Sequence, residues 1–425
     1  MQQILDLHIH SKYSRSCSPE LTLENIDMAC RTKGVDIIAT GDFTFPAWFS
    51  DIKDKLVETR IGSGLYKLTS AKDDKVKFIL STEVALIYKD GDKARRIHLV
   101  IHAPSLKAAE ELNNFLDKKY NIRSDGRPIL GMSAPTLMKL CLSIDKKFLI
   151  YPAHIWTPWF SVFGSKSGFD KMEECFHEYT KNIYAIETGL SSDPEMNWRL
   201  SALDKLTVLS NSDAHSLPNI AREANVFEMK DINYDEIYDI VKNKKIYQDG
   251  GEGIKYTIEF YPEEGMYHYD GHRACGISFT PEETKKQKNI CPVCKKPLTI
   301  GVMNRVDELA DRALDFKPVN VAPFKKLVEL DKIIAEALDI KSRHSKRVQL
   351  AYHSLIKLGV NELNILLNIS LKELKNITEA VIAEGIKRVR EGNLIIKPGY
   401  DGQYGAIKIF SEKEKNKNRQ KSLFE

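Results

Sequence analysis

Short apolar runs alternate with longer amphipathic segments through the first 250 residues of the chain. Residues 4–7, 78–80 and 148–151 are mainly apolar runs of strand length, and a further one begins at 96–97. Apolar residues recur at helical spacing in segments 23–31, 106–115, 136–142 and 194–203. An alternation of strands with helices is typical of an α/β barrel. We therefore predict a barrel over residues 1–250.

The pattern changes after residue 250. A strand is predicted at 255–261, followed by a segment rich in cysteine and glycine and then by helices at 306–314, 323–337, 345–358, 371–376 and 378–391. In the last of these, Val381, Ile382, Ile386 and Val389 form one apolar face. We predict a small module over residues 251–305, a mainly helical domain over 306–410 and a tail over 411–425.

Metal-binding side chains occur in pairs one residue apart near both ends of the predicted barrel. His8 and His10 follow the first strand, and Asp213 and His215 follow a later one. Alternate residues of an extended segment point to the same face, so each pair can bind one ion. Glu83, His98 and His154 each follow or end a further apolar run. Ligands at the ends of several strands predict a metal site on one rim of the barrel.

These motifs resemble, in order and spacing, those of the polymerase and histidinol phosphatase (PHP) superfamily of phosphoesterases, whose fold is a distorted barrel of (β/α)7 type. The resemblance covers about 230 residues. It implies metal binding by His8, His10, Asp42, Glu83, His98, His154, Asp213 and His215, with Glu83 between two ions. Glu83, Asp213 and His215 are the predicted catalytic residues. Arg15 and Phe43 stand where many members have an Asp and a His, so a third ion is not expected.

A second metal site is predicted in the module. His272 and Cys275 are three positions apart, as are Cys291 and Cys294, and the two pairs are separated by fifteen residues. Two such knuckles can bind one tetrahedral Zn²⁺ without leaving room for substrate, so this zinc is predicted to be structural. His268 is an alternative to His272, and a redox Cys-x-x-Cys is an alternative to the zinc site.

Length and composition agree with a folded protein of two or three domains. The chain has 425 residues, 42% of them hydrophobic, and no apolar run reaches the ~18 residues of a membrane helix. We expect a cytoplasmic, nucleoid-associated protein, with Cys17, Cys30, Cys141 and Cys175 reduced.

The positive charge is concentrated at the C-terminal end. Residues 321–425 contain 20 Lys and Arg against 13 Asp and Glu, whereas residues 1–320 contain 43 against 46. Lys387, Arg388 and Arg390 lie on the polar side of the last helix and are predicted to contact DNA phosphates. A solvated helix face without a ligand is the alternative.

The full set of features resembles the endonuclease Q family over nearly the whole chain. The resemblance rests on the His8–Arg15 motif, the His272, Cys275, Cys291 and Cys294 knuckles, and the segment from Lys397 to Phe410. It implies a DNA-repair endonuclease that hydrolyses the phosphodiester 5′ to uracil, hypoxanthine, xanthine or an abasic site with water activated by Zn²⁺, Mg²⁺ or Mn²⁺. The alternatives are a PHP phosphatase acting on a small phosphate monoester, and a non-catalytic DNA-binding scaffold.

Two further segments are candidates for contacts with substrate and partner. Trp156, Trp159 and Phe160 follow His154 and could stack on a base turned out of the duplex, or could plug the barrel rim. At the C-terminus, Gln420, Leu423 and Phe424 resemble a shortened sliding-clamp docking peptide. An inert terminus is the alternative for this tail.

Overall fold

The strands form several mixed sheets. The structure, a computed structural model, describes residues 1–415. The strands in this part of the chain are β1 (Gln2–Asp6), β2 (Ile37–Ala39), β3 (Leu56–Glu58), β4 (Leu65–Leu68), β5 (Lys77–Ile79), β6 (Ser81–Asp90), β7 (Lys93–His102), β8 (Ile129–Leu130), β9 (Leu149–Pro152), β10 (Ala185–Glu187), β11 (Thr207–Leu209), β12 (Ala224–Glu228), β13 (Gly253–Glu259), β14 (Asp270–His272), β15 (Ile277–Phe279), β16 (Phe324–Lys326), β17 (Ile395–Lys397) and β18 (Ala406–Lys408).

Helices pack around the sheets and make up most of the C-terminal part. They are α1 (Leu23–Lys33), α2 (Pro46–Lys55), α3 (Leu106–Asp117), α4 (Ala134–Ile144), α5 (Met172–Phe176), α6 (Pro194–Trp198), α7 (Tyr234–Lys242), α8 (Pro281–Lys286), α9 (Val302–Leu309), α10 (Leu330–Ala337), α11 (Lys346–Gly359), α12 (Glu362–Leu367), α13 (Leu371–Ile377) and α14 (Ala380–Glu391). None of the helices within residues 1–415 has the length and apolar character needed to cross a bilayer.

The predicted α/β barrel is present in distorted form. Its strands lie in an eight-stranded sheet with the order β16-β13-β12-β1-β2-β5-β4-β3, a four-stranded sheet with the order β8-β6-β7-β9, and the parallel pair β10-β11. Only Leu80 separates β5 from β6, and β9 contacts β10. A parallel bridge between Ile9 and Ala214 joins the chain after β1 to the chain after β11. The sheets therefore follow one another around a ring.

The inner strands are apolar because both of their faces are covered. Ile37 and Ile38 of β2 and Phe78 and Ile79 of β5 are fully buried. Such continuous runs are typical of parallel strands between layers, and these two strands do pair in parallel. Because these strands are buried and paired, the polar residues that follow them are held at fixed positions near one another.

The predicted boundary at residue 250 does not separate the sheets. β13 pairs with β12, and β16 pairs in parallel with β13 through Thr257 and Phe324. The single helix predicted over 323–337 is therefore wrong in its first part, which forms this edge strand before α10 begins. Local periodicity could not reveal that Phe324 lies beside a strand 67 positions earlier.

The C-terminal helices pack on the barrel through buried polar contacts. Lys33 of α1 forms an ion pair with Glu362 of α12 at 2.8 Å, and the Tyr352 hydroxyl donates to the same carboxylate at 2.6 Å. Helix α12, which begins after an Asn361 cap, was not predicted from the sequence. Because charges so deeply buried are costly to separate, the helical domain is held against α1.

Candidate two-metal centre and zinc module

Two pairs of predicted ligands are aligned by one bridge between neighbouring chain segments. The Ile9–Ala214 bridge places His8 and His10 beside Asp213 and His215, and the His10 amide donates to the Ala214 carbonyl at 3.1 Å. His10 Nε2 lies 3.1 Å from Asp213 Oδ1, and His8 Nε2 lies 3.8 Å from the same oxygen. The two pairs therefore meet as the sequence predicts, through a single bridge, although Asp213 itself is not extended.

Glu83 connects this group to a second one. Its Oε2 lies 3.3 Å from His10 Nε2 and 3.8 Å from His8 Nε2. Its Oε1 lies 2.8 Å from His98 Nδ1 and 3.2 Å from His154 Nε2. Since the two oxygens face different histidine pairs, Glu83 has the geometry of a carboxylate shared by two ions.

Unsatisfied buried atoms in the first group fit a metal ion. His8 Nε2, His10 Nε2 and Asp213 Oδ1 are buried and form no hydrogen bond. They lie within 4.8 Å of one another, as do ligand atoms of Glu83, His98 and His154. Buried polar atoms without partners are costly, and convergent imidazole and carboxylate ligands suit a divalent cation. The residues therefore fit two ions, one at each of these two groups of ligand atoms.

The ligands differ in ionisation: although burial opposes their charge, neighbouring carboxylates raise the pKa of His8 and His10 well above the usual range. Burial opposes the charge on Glu83, but His98 and Arg127 hold its pKa well below the usual range, so it carries a negative charge. Burial lowers the pKa of His98 to about 4, which keeps this ring neutral. Because metal binds neutral imidazole and ionised carboxylate, an ion at this centre would displace protons from the rings of His8 and His10.

His215 lies at the edge of the first group. Its Nδ1 is 2.8 Å from the Asp213 carbonyl oxygen, and its ring centroid is 4.6 Å from that of His10. His215 is not among the ligand atoms that lie within 4.8 Å of one another, so its predicted metal contact stays a prediction. His154 and Asp213 have left-handed backbone conformations, with φ of 29° and 45°. Such strained positions are common where function requires a fixed side-chain direction.

Asp42 lies behind a ligand instead of among the ligands. Its Oδ1 accepts from His10 Nδ1 at 3.0 Å, and its Oδ2 accepts from the Ser11 amide, the Ser11 hydroxyl and the Ser14 hydroxyl. Both oxygens are thus engaged on the far side of the His10 ring. The structure corrects the predicted metal contact: Asp42 is a positioning residue that orients His10.

Glu187 is a supporting residue that was not predicted from the sequence. It ends β10, and its two oxygens lie 3.1 and 3.0 Å from His8 Nδ1. In the sequence, Glu187 is only an acidic residue after the short apolar run Ala185–Ile186. Its role can be recognised only once the fold places β10 beside β9. Glu187 therefore orients the His8 ring through Nδ1, as Asp42 orients the His10 ring.

Replacing Glu187 with glutamine is expected to weaken metal binding about 10- to 100-fold, because the His8 ring loses its ionised partner while the side-chain shape is kept. Titration of the metal-free variant with Zn²⁺ or Mn²⁺ measures this change. Glu195→Gln, on nearby α6 and without contact to a ligand, is the control. Unchanged affinity in Glu187→Gln would show that the carboxylate does not support the site.

Arg127 also reaches the centre without having been predicted to do so. Its Nη1 lies 3.0 Å from Glu83 Oε2. At the two positions that depart from the superfamily pattern, Arg15 is exposed and Phe43 is fully buried, and neither side chain has an atom that binds a cation. Neither can supply a ligand for a third ion.

The zinc-module residues come together as the spacing predicts. His272 ends β14, Cys275 lies in the turn before β15, and Cys291 and Cys294 form a separate knuckle. The four ligand atoms lie within 4.8 Å of one another, and Cys294 Sγ is 3.5 Å from His272 Nδ1. His268 is outside this group, since its ring is buried against Tyr269. The donor set fits a tetrahedral zinc ion.

The module is attached to the segment 398–402. The Tyr269 amide donates to the Gly399 carbonyl at 2.9 Å, and Asp401 accepts from the Arg273 amide and the Thr299 hydroxyl, both at 2.6 Å. These hydrogen bonds join residues next to the candidate ligands His272 and Cys275 to segment 398–402. The module with the four candidate ligands is therefore hydrogen-bonded to the chain that follows the helices.

The aromatic loop after His154 divides into buried and exposed residues. Trp156 is 1% exposed, and its Nε1 donates to Asn197 at 2.8 Å, so its position agrees with the alternative of a plug on the barrel rim. Phe160 lies over the His98 ring, with centroids 4.6 Å apart. Trp159 is 42% exposed beside Tyr267 and is the aromatic residue of this loop that remains open to a substrate.

Two of the three predicted DNA-binding residues on α14 are used within the protein. Arg390 donates to the carbonyls of Leu366 and Ile365 at the end of α12, and Arg388 contacts Glu384, Glu414 and the Ile409 carbonyl. The prediction for these arginines is corrected, because each guanidinium is bound to acceptors of neighbouring segments within the protein. Lys387 remains on the surface.

Arg390→Gln is expected to lower the free energy of unfolding by about 1–3 kcal/mol, because two carbonyls at the end of α12 lose charged donors. Lys387→Gln should change it by less than about 0.5 kcal/mol, as is usual for an exposed side chain. Denaturant unfolding of both variants provides the comparison. Equal stability of the two would contradict the assignment of Arg390 to helix packing.

Comparisons with known proteins agree with this geometry. The structure superposes on the lesion-specific endonuclease PfuEndoQ from Pyrococcus furiosus with a TM-score of 0.84, at 29% identity, covering 98% of this chain and 99% of that one. It superposes on endonuclease Q in complex with a 27-mer duplex bearing an abasic lesion with a TM-score of 0.82, at 31% identity, covering 97% and 98% of the chains. This chain belongs to the endonuclease Q family. The predicted enzyme class, a metal-dependent endodeoxyribonuclease, is confirmed by this match.

Two sequence matches extend this finding. Residues 329–393 match the MJ0043 C-terminal domain family, and this range contains helices α10 to α14. The MJ0043 protein of Methanocaldococcus jannaschii is 34% identical over 268 residues, 61% of this chain. The chain matches about a third (32%) of the length of that relative.

Proposed function

We propose that this member of the endonuclease Q family is a DNA-repair endonuclease that hydrolyses the phosphodiester 5′ to deaminated bases and abasic sites. The observation that carries the proposal is the Glu83 carboxylate, which is shared by the His8–His10 and His98–His154 pairs. One solved relative, endonuclease Q, has a duplex substrate with an abasic lesion at its active site, which supports DNA as the substrate class.

Two divalent ions bound at such a centre would supply an activated water near neutral pH and positive charge for the scissile phosphate. The protein's own residues hold the ligands in place. Glu187 and Asp42 orient His8 and His10 through Nδ1, which leaves both Nε2 atoms directed at Asp213 and Glu83. No protein nucleophile is required, because the attacking group is water.

To be distinguished from a normal base, a damaged base must turn out of the duplex. Turning a base out of the duplex costs a few kcal/mol, and the cost is smaller for a mismatched or missing base. Uracil and hypoxanthine share a carbonyl next to a ring N–H, whereas cytosine and adenine carry an amino group and an acceptor there. Trp159, exposed beside Tyr267, is the residue that we assign to stacking on the distorted substrate.

The function is tested with duplexes that contain one uracil, one hypoxanthine, one xanthine or one abasic site, in Mg²⁺, Mn²⁺ or Zn²⁺. Cleavage of these duplexes, with an undamaged duplex left intact, is the expected result. A phosphate monoester serves as the competing substrate. Hydrolysis of the monoester without cleavage of any damaged duplex would favour a phosphatase, and binding without cleavage in any metal would favour a scaffold.

The proposed partner is a sliding clamp, bound through the C-terminal peptide. Gln420, Leu423 and Phe424 lie outside the described residues, so the proposal rests on their sequence. Deleting residues 420–425 is expected to abolish association with the clamp and to leave cleavage of short oligonucleotides unchanged. Calorimetry with the purified clamp measures the first effect. An equally tight complex without these residues would rule out the peptide.

A further inference from the structure

Arg127 is placed at the edge of the two-metal centre by its contact with Glu83. Its Nη1 lies 3.0 Å from Oε2, the oxygen that also faces His8 and His10. Among the lysines and arginines of residues 1–415, it is the one whose side chain forms an ion pair with a predicted ligand. The side chain is 23% exposed, so it is open to the solvent from which a substrate would arrive.

The loop that carries Arg127 is fixed on both sides. The Gly126 amide donates to the Tyr13 carbonyl at 3.0 Å, and the Ala85 amide donates to the Pro128 carbonyl at 3.0 Å. A Cβ at Gly126 would lie 2.5 Å from Ser14 Oγ and closer still to Asp42 Oδ2, so glycine is needed for this approach. The guanidinium is therefore held beside the metal ligands by the same residues that support His10.

The contact with Glu83 uses only part of the Arg127 guanidinium. Glu83 accepts one of its N–H groups, and the guanidinium has further donors on Nε and Nη2. Glu83 is also the carboxylate that two ions would share. Once both of its oxygens were bound to metal, Arg127 would lose most of that interaction and need a new anionic partner.

We propose that Arg127 is a catalytic residue that binds a non-bridging oxygen of the scissile phosphate and stabilises the charge that develops on it. This inference deepens the proposed function, on which it rests. A guanidinium is suited to this role because its planar donors match phosphate oxygens and it stays charged at every relevant pH. Donors fixed before the reaction lose no energy in reorganising as charge develops.

Arg127 also supplies a positive charge at a centre that lacks two of the superfamily's ligand positions. Arg15 and Phe43 stand at positions where many members of the superfamily have an Asp and a His, and neither side chain can bind a cation. Arg127 supplies one fixed positive charge from a different segment of the chain. Its loop is formed by residues far from the metal motifs in sequence, which is why motif spacing did not reveal it.

The test compares Arg127→Met and Arg127→Lys with the wild-type enzyme. Arg127→Met is expected to lower kcat on an abasic-site duplex about 10²- to 10³-fold, which is the usual cost of removing one donor to a developing negative charge. Arg127→Lys should recover part of this loss. Metal content should not change, and binding of inorganic phosphate to the metal-loaded protein, measured by calorimetry, should weaken in Arg127→Met.

Arg15→Met is the matched control, since Arg15 is exposed and its amide donates to the same Asp125 that caps the Arg127 amide. It should retain wild-type kcat and phosphate binding. Loss of metal from Arg127→Met, or an unchanged kcat with wild-type phosphate affinity, would overturn the proposal. Thermal unfolding of each variant separates a folding defect from a loss of chemistry, and Arg127→Lys keeps the test valid if Arg127→Met unfolds.

A simple diester separates this inference from the proposed lesion specificity. Bis(p-nitrophenyl) phosphate carries the phosphodiester without DNA. If the wild-type protein hydrolyses it but cleaves no damaged duplex, the lesion function fails, and a lower rate in Arg127→Met still supports the phosphate contact. Equal rates for Arg127→Met and wild type on every diester cleaved would refute the contact whatever the substrate.

Discussion

Glu83→Gln is expected to abolish nearly all cleavage while the protein remains folded. Glutamine keeps the shape of the side chain but removes the charge that the two histidine pairs share. If the lost stabilisation is about 4 kcal/mol, the rate falls about a thousandfold. Cleavage of an abasic-site duplex at saturating substrate measures the rate, and elemental analysis should find less than the wild-type content of bound metal.

Glu110→Gln is the control for this change. Glu110 lies on α3 and pairs with Lys53 at the protein surface, so its loss should leave both cleavage and metal content unaltered. Near-normal turnover of Glu83→Gln, with its metal content intact, would mean that the carboxylate is not a shared ligand. The assignment of both ion positions would then fail, because Glu83 is the residue common to them.

Cys291→Ser is expected to release the structural zinc and to unfold the module locally. The strands β14 and β15 are only three residues each, and His272, Cys275 and Cys294 are not fully buried, so the module has little core without its metal. Bound zinc should fall by one equivalent. Hydrogen exchange should rise in segment 270–299 and in segment 398–402, which is bonded to it, while the barrel strands remain protected.

Val293→Ser tests whether this effect belongs to the ligand. Val293 lies in the same knuckle, between the two cysteines, and is 64% exposed. It should keep its zinc and its wild-type exchange pattern. An unchanged zinc content in Cys291→Ser would show that the four residues do not form the site, and the redox interpretation of Cys291 and Cys294 would have to be considered again.

The predictions from sequence succeeded where a short pattern carries the geometry. His8 and His10 follow a strand one residue apart, and Cys291 and Cys294 have the spacing of a knuckle, so local structure alone brings each pair together. Helix α14 has the predicted apolar face, with Ile382, Ile386 and Val389 buried. These features depend on neighbours a few positions away.

The predictions failed where the partner lies far along the chain. Glu187 and Arg127 contact ligands 179 and 44 positions away, and neither residue differs in sequence from an ordinary surface charge. Arg390 was predicted to bind phosphate because charge on the polar side of a helix was visible, whereas the carbonyls of α12 that it caps were not. Base stacking and a rim plug stayed open alternatives for Trp156, because its partner Asn197 lies on another element.

Our central claim is that water held at the Glu83 centre cuts the phosphodiester on the 5′ side of a lesion. The direct measurement is cleavage of a duplex with a single uracil or abasic site in ¹⁸O-labelled water, with both product ends identified by mass spectrometry. We expect one ¹⁸O in the 5′-phosphate of the fragment that begins with the lesion, and an unlabelled 3′-hydroxyl on the other fragment. Label on the other fragment, a cut on the 3′ side, or a product formed without ¹⁸O would contradict the claim.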